Sequence, residues 1–253
     1  MRLFISLSYN GSPFCGWQSQ PEGRSVQGEL ERALSIAFSE PVEVVGAGRT
    51  DAGVNARHYI AHFDVTADEV KEPKRTIRKI NAILPREIRV FDIFRVSPDA
   101  HARYDALSRT YRYYLHTEKD PFAHFSYLYT YDLDVDAMNR AAAHLTGTRD
   151  FTSLEKVGSD NGTSLCTVSE ARWERIDKSH LVFTVTANRF LRNMVRAMVG
   201  TLLEIGRGRR DEAWIDEVLS ARDRCSAGQS VPGEALFLDE IRYPYPLTTI
   251  QNQ

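Results

Sequence analysis

The chain has 253 residues, of which 42% are hydrophobic, so it can bury the core of one large domain or two small ones. Its net charge of −2 lacks the overall basic excess of nucleic-acid binders, and no stretch approaches the roughly 20 apolar residues of a membrane span. The three cysteines are far apart and show no C-x-x-C spacing, which favours neither a disulfide framework nor a zinc site and fits a cytoplasmic protein.

The first half of the chain predicts the order strand, helix, strand, strand, helix, strand. Residues 3–10 alternate apolar and polar side chains, as a half-buried strand does. Ser25 suits the N-cap of a helix whose apolar residues follow at helical spacing, and Pro73 suits the first turn of a second helix. The remaining strands are predicted near 42–47, 58–65 and 88–96.

The second half predicts the same order of elements without any repeat of sequence. The pattern gives a strand near 107–116, a helix from Asp134 to Gly147, strands near 164–176 and 181–188, a helix from about 190, an extra helix from Asp211 and a strand near 236–242. Such an order is typical of the ferredoxin-like split βαβ arrangement. We therefore predict an α+β protein of two ferredoxin-like halves, 1–106 and 107–253. Their mostly antiparallel sheets would join into one, with helices packed behind and an active-site cleft between the halves.

One loop carries a pattern typical of a reactive site. The segment Gly48-Arg49-Thr50-Asp51-Ala52-Gly53-Val54 places an arginine, a hydroxyl and one carboxylate between glycines, directly after a predicted strand. Glycines at 46, 48 and 53 permit close approach of other groups. This pattern predicts that Asp51 faces a cleft, although Thr50 or Asp51 could instead cap a helix or close a turn.

Basic residues cluster in two places despite the acidic total. Between 189 and 210 six arginines stand against Glu204 alone, and between 101 and 112 three arginines stand against Asp105. The predicted helix from Phe190 is apolar nearly all round, so Arg189, Arg192 and Arg196 would form one narrow stripe on a largely buried helix. Burial of unpaired charges is costly, which predicts a protein carboxylate or an RNA phosphate as partner. The alternative is that these arginines emerge at a helix edge and bind water.

Four segments, in this order, resemble the signatures of the TruA family of tRNA pseudouridine synthases, and a weaker fifth follows. They are Tyr9–Gln20, the Asp51 loop with Ala61-His62-Phe63, His101-Ala102-Arg103 leading into Arg109–Tyr113, Phe190–Arg196 with Val199-Gly200, and Ala235–Leu238. The chain departs from the family pattern at Asn10 and Asn55, where members usually carry aspartate and histidine. These departures leave the RNA contacts near both loops open.

The resemblance implies an isomerase that converts uridines 38, 39 and 40 in the anticodon arm of tRNA to pseudouridine, without cofactor or metal, as a homodimer. It implies that Asp51 is the catalytic carboxylate, which could attack the ribose C1′ or the uracil C6, or remove the C2′ proton. The sequence does not choose among these routes. An ionised carboxylate in a partly desolvated cleft requires an opposite charge, for which Arg196 is the candidate.

The resemblance also assigns the substrate contacts. Tyr111 would stack on the flipped uracil and serve in proton transfer from C5, although a strand tyrosine is ordinarily part of the core. Arg49 would support the flipped state, Arg192 would bind substrate, and Leu236 would line the apolar wall of the pocket.

Two other functions compete with this interpretation. His58, His62 and Asp64 could suggest a metal site, but their spacing suits a helix and this stretch alternates like a strand, and no H-E-x-x-H motif occurs. Nucleotide-binding glycine motifs are incomplete as well. A non-catalytic RNA-binding protein would use the same basic clusters and would not need Asp51.

Overall fold

The computed structural model describes residues 1–66, 70–159 and 162–250. The chain divides into two compact units, one formed by Met1–Leu107 together with the segment from Leu238 onward, the other by Ser108–Phe237. The predicted α+β class and the mostly antiparallel strand pairing are confirmed. The sequence assigned all of 107–253 to the second half, but the segment from Leu238 belongs to the first unit, where Asp239 pairs with Arg57.

The first unit follows the predicted order. The elements are β1 (Arg2–Tyr9), α1 (Val26–Phe38), β2 (Val44–Gly46), β3 (Asn55–Asp64), α2 (Pro73–Ile83) and β4 (Ile88–Arg95). Strand β1 lies between β3 and β4 and is antiparallel to both, and the short β2 pairs with the C-terminal part of β3. From the far end of the chain, β10 (Leu236–Arg242) lies beside β3.

Local signals placed the helices of this unit well. The Ser25 hydroxyl accepts a hydrogen bond from the Gly28 backbone N–H at 3.1 Å, and Pro73 occupies the first position of α2. Strand β1 differs from the prediction, because Phe4 and Ser6 are buried as completely as Leu3 and Ile5. Both faces of the strand are therefore covered, and its edges pair with β3 and β4, so it belongs to the core of the unit.

The second unit contains the Tyr111 strand. The elements are β5 (Ser108–His116), β6 (Tyr127–Leu128), α3 (Val135–Ala143), β7 (Gly147–Asp150), β8 (Leu165–Arg175), β9 (His180–Ala187), α4 (Met194–Gly206) and α5 (Trp214–Ala221). Strand β9 is antiparallel to both β5 and β8, β7 is antiparallel to β8, and the two-residue β6 runs parallel to β5.

Two helix boundaries in this unit differ from the sequence prediction. Helix α3 ends at Ala143, because Gly147 already begins the strand β7. Helix α4 begins at Met194 instead of about residue 190, after Asn193 in the left-handed region at φ 68°. Nearly every residue of α4 is buried, as its apolar composition predicted. No helix in the described ranges is long and apolar enough to cross a membrane.

Candidate functional site

The Asp51 loop connects β2 to β3 in the first unit, as predicted. Asp51 is half-buried, and Arg49 and Ala52 on either side of it are exposed. The Asp51 backbone carbonyl accepts a hydrogen bond from the Val54 N–H at 3.2 Å, with Gly53 at φ 79° inside this turn. A turn is therefore present, as the alternative interpretation of this loop expected. It is closed by the main chain of Asp51, so it is compatible with a reactive role for the carboxylate.

The first of the family-like segments, Tyr9–Gln20, is called the opening motif, and it lies directly against this loop. The Trp17 N–H donates to the Thr50 carbonyl at 3.1 Å. Gly16 has a φ of 111°, and a Cβ built on it would lie 2.6 Å from the same carbonyl oxygen. A Cβ on Gly11 would lie 2.0 Å from the Val54 carbonyl oxygen. Only residues without a side chain allow the two main chains to approach so closely.

Buried side chains fasten the two segments together. The hydroxyls of Tyr9 and Thr50 are 2.9 Å apart, and both residues are buried. The Asn55 side-chain oxygen accepts a hydrogen bond from the Gly11 N–H at 2.8 Å, and Asn55 is only 1% exposed. Asn55, one of the two departures from the family pattern, therefore joins the Asp51 loop to the segment that contains Gly11. The second departure, Asn10, accepts a local hydrogen bond from the Ser12 N–H at 3.0 Å.

An aromatic pair supports the start of the loop. Trp17 and Tyr59 stack with their ring centroids 4.0 Å apart, and both are buried. The Tyr59 hydroxyl donates to the carbonyl of Gly48, next to Arg49. The loop that presents Asp51 is thus held by main-chain contacts, hydroxyls and stacked rings on several sides, which restricts where its carboxylate can lie.

The second unit holds Tyr111 on β5. It lies opposite Val185 of β9 and is 8% exposed. Its ring and the ring of the half-buried Phe190 lie nearly perpendicular, with a centroid distance of 5.0 Å and an interplanar angle of 84°. This edge-to-face geometry fixes the orientation of the Tyr111 ring.

The predicted arginine stripe is wrong in its geometry. Arg189 and Arg192 precede α4, and only Arg196 lies on the helix. The left-handed Asn193 ends any helical continuity, so the spacing of three and four residues does not align these side chains. Arg192 is exposed and Arg196 is half-buried.

A nearby segment orients Arg196. Its Nε donates to the Val231 carbonyl at 2.6 Å, and the Val231 N–H donates back to the Arg196 carbonyl at 3.3 Å. Ser230 accepts hydrogen bonds at 2.7 Å from both Asn193 and Arg224. Sequence reasoning missed this clamp, because the two segments are 35 residues apart along the chain.

The buried hydroxyl of Tyr113 is a second feature that sequence reasoning missed. Tyr113 shares the face of β5 with Tyr111 and is fully buried, and its hydroxyl has no hydrogen-bond partner within the described part of the chain. Burial raises the pKa of Tyr113, and the positive charge of Arg196 opposes that shift. Arg196 is therefore close enough to the tyrosine strand to act on its electrostatics.

Leu236 is 5% exposed at the start of β10. Its N–H donates to the Gly233 carbonyl at 2.9 Å, and the preceding Ala235 carbonyl accepts from the Tyr114 N–H at 3.0 Å. The predicted site residues thus fall into two groups. Arg49 and Asp51 lie in the first unit, and Tyr111, Arg192, Arg196 and Leu236 lie in the second.

The geometry gives no support to a metal centre. No group of three His, Cys, Asp or Glu side chains suitable for a metal ion occurs among the residues that the structure describes. His62 is 4% exposed, and its Nδ1 accepts a hydrogen bond from the Ala102 N–H at 3.1 Å. Asp64 forms an ion pair with Arg2 at 2.7 Å.

Comparison with known proteins points in one direction. Residues 141–244, which include Arg192, Arg196 and Leu236, match the family described as tRNA pseudouridine synthase. Three curated proteins named tRNA pseudouridine synthase A are similar over nearly the whole chain. The protein of Parabacteroides distasonis is 49% identical, covering 99% of both chains. That of Porphyromonas gingivalis is 46% identical, covering 97% of this chain and 98% of its own. That of Bacteroides fragilis is 46% identical, covering 96% of each.

Proposed function

Since this chain belongs to the tRNA pseudouridine synthase A family, we propose that it isomerises uridines 38, 39 and 40 of the tRNA anticodon arm, with Asp51 as the catalytic carboxylate. The enzyme class is that of an isomerase. The observation that supports Asp51 most strongly is the bracing of its loop by the opening motif, through Gly11, Gly16 and the Tyr9–Thr50 hydrogen bond. Catalytic groups require this kind of preorganisation, because small misplacements cost large factors in rate.

The reaction breaks the glycosidic bond between N1 of uracil and C1′ of ribose, turns the detached uracil and bonds its C5 to C1′. The proton on C5 is then removed, and N1, released from C1′, carries a proton in the product. The nucleoside therefore keeps its composition, and no net oxidation or hydrolysis occurs. Asp51 starts the sequence by attack on C1′ or C6, or by removal of the C2′ proton. Each route requires the ionised carboxylate and requires no cofactor.

Arg196 is the proposed counter-charge for Asp51 in the substrate complex. Partial burial disfavours an ionised carboxylate, and a guanidinium nearby compensates for the lost hydration. The hydrogen bond from Arg196 Nε to the Val231 carbonyl fixes the side chain in one orientation. A fixed cation costs little reorganisation when charge develops during the reaction.

Tyr111 and Leu236 are proposed to bind the flipped uracil. The perpendicular contact with Phe190 restricts the orientation of the Tyr111 ring, which suits stacking against a base. Its phenol group would take part in removing the C5 proton. Leu236, near the tyrosine strand through the Tyr114–Ala235 hydrogen bond, would form the apolar wall.

Arg49 and Arg192 are proposed to contact the RNA, since both are exposed, Arg49 in the Asp51 loop and Arg192 just before the helix that carries Arg196. Extruding a uridine from a stem costs a few kcal/mol, and Arg49, two residues before Asp51, is placed to support the flipped state. We also propose that the enzyme acts in the cytoplasm as a homodimer. The unpaired state of Cys15, Cys166 and Cys225 suits a reducing compartment.

The site choice is tested with unmodified tRNA transcripts that carry uridine at only one of positions 38, 39 and 40, and with a transcript that has none there. The expected result is pseudouridine in each single-uridine tRNA and none in the fourth. Modification at uridines elsewhere would contradict the proposed positions. Tight binding of all four transcripts without any product would favour the alternative of a non-catalytic RNA-binding protein.

A further inference from the structure

An exposed aromatic ring stands on a rigid turn of the first unit that the proposed chemistry does not use. Tyr104, between β4 and β5, is 77% exposed. Its ring stacks on the His101 ring at a centroid distance of 4.3 Å and an interplanar angle of 30°. The guanidinium carbon of Arg103, also exposed, lies 5.8 Å from the centre of the Tyr104 ring.

The turn that carries this ring is fixed by several hydrogen bonds. His101 Nδ1 accepts from the N–H groups of Arg103 at 3.1 Å and Tyr104 at 3.2 Å. The Asp105 carboxylate accepts from the His101 N–H at 2.8 Å and from the Tyr245 hydroxyl at 2.7 Å. These bonds hold the backbone on both sides of Tyr104.

A second layer connects the turn to the core. The buried His62 ring lies 4.6 Å from that of His101, and His62 Nδ1 accepts from the Ala102 N–H at 3.1 Å. The Tyr243 hydroxyl donates to the Ala102 carbonyl at 2.6 Å. Burial lowers the pKa of His62 to about 4 and also lowers the pKa of His101. Both rings are therefore neutral at pH 7, as their roles as hydrogen-bond acceptors require.

The turn is built to hold Tyr104 outward. A solvent-exposed tyrosine would ordinarily sample several rotamers, and stacking on His101 restricts that freedom before any ligand arrives. A preorganised ring loses little conformational entropy on binding, which is why rigid aromatic residues are favoured in recognition surfaces. With stacking on His101 and most of its surface exposed, the ring can accept a second flat group.

We propose that Tyr104 and Arg103 form a docking surface for the RNA substrate, in which Tyr104 stacks on an unpaired nucleobase and Arg103 contacts a neighbouring phosphate. The proposal rests on the proposed function, since it takes tRNA as the substrate. Base stacking on an exposed aromatic residue beside a cation is the general mode by which proteins hold single-stranded RNA. A tyrosine stacked on a histidine of a hydrogen-bonded polar turn differs from the broad apolar patch of a subunit interface.

The test compares tRNA affinity in three variants. Tyr104→Ala removes the ring, Tyr104→Phe keeps it, and Phe122→Ala is the matched control, because Phe122 is 85% exposed in the second unit. Stacking is worth about 1–3 kcal/mol per base, so Tyr104→Ala should weaken the Kd for unmodified tRNA roughly 5- to 150-fold. Tyr104→Phe and Phe122→Ala should stay within about twofold of wild type.

Arg103→Gln gives an independent measurement. The logarithm of the tRNA binding constant decreases linearly with the logarithm of the salt concentration. If Arg103 contacts one phosphate, this slope should be shallower by about 0.7–0.9 in the variant. Tyr104→Ala should leave that slope unchanged, because tyrosine carries no charge. Thermal melting of each variant should match wild type, since both side chains lie outside the core.

Wild-type affinity of Tyr104→Ala for tRNA would overturn the proposal. A change of oligomeric state in sedimentation, with tRNA affinity unchanged, would also overturn it and would assign the ring to a contact with a second copy of the chain. Failure of the wild-type protein to bind tRNA would overturn the proposed function together with this surface. If the wild-type protein binds tRNA and Tyr104→Ala binds it equally well, only the proposed docking surface would be contradicted.

Discussion

Gly11→Ala should slow the reaction about 100-fold without altering any proposed catalytic residue. The added Cβ would lie 2.0 Å from the Val54 carbonyl oxygen, whereas real Cβ contacts essentially never fall below 3.0 Å. The two main chains must therefore separate by at least about 1 Å. The same shift stretches the 2.8 Å hydrogen bond from the Gly11 N–H to Asn55.

The displaced backbone belongs to the turn that holds Asp51. A misplacement of about 1 Å can cost about 100-fold in rate, so we expect a loss of that order in the single-turnover rate of pseudouridine formation at saturating tRNA. Overpacking of this kind costs about 1–3 kcal/mol, so the melting temperature should fall by a few degrees while the protein stays folded.

Gly48→Ala is the matched control in the same loop. A Cβ there would meet no heavy atom of the described residues within 4 Å. We expect this variant to keep the wild-type melting temperature and to stay within about threefold of the wild-type rate. Wild-type activity of Gly11→Ala, or equal losses in both variants, would refute the argument that the opening motif positions the Asp51 loop.

Two further predictions concern stability. The pKa of His62 is about 4 in the folded protein, below its ordinary value of 6.5. The neutral ring therefore contributes fully to the free energy of unfolding above pH 6.5, and this contribution is lost as the pH falls towards 4. The loss should reach about 3 kcal/mol in urea unfolding, and His62→Asn should reduce this pH dependence; equal pH profiles for both proteins would contradict it. Asn193, at φ 68°, should tolerate glycine better than alanine, by about 1 kcal/mol in the same assay. Equal stabilities of the two variants would refute that backbone argument.

Local sequence signals predicted the fold where the structure depends on neighbouring residues. Ser25, Pro73 and Asp134 begin their helices as expected, and the first unit follows the predicted order of elements. The second unit adds the short strands β6 and β7, and the strand predicted to close it, β10, lies mainly in the first unit. The start of α4 was misplaced, because periodicity cannot reveal that Asn193 adopts a left-handed conformation. The apolar run before it continues the helical pattern without being helical.

The candidate site was predicted by its motifs but not by its supports. The Asp51 loop stands between two strands as expected. The Tyr9–Thr50 and Gly11–Asn55 hydrogen bonds join residues more than 40 positions apart. No local pattern records such a contact. The Val231 clamp on Arg196 was missed for the same reason, since it comes from a distant loop.

The central claim is tested most directly by comparing wild type, Asp51→Asn and the control Asp64→Asn for pseudouridine formation in unmodified tRNA, with tRNA binding measured in parallel and no cofactor added. Asp64 is an exposed carboxylate of the same unit that pairs with Arg2. The account predicts turnover by wild type and Asp64→Asn, and tRNA binding without turnover by Asp51→Asn. Turnover by Asp51→Asn would contradict the catalytic role of Asp51, and binding without turnover by wild type would contradict the proposed function.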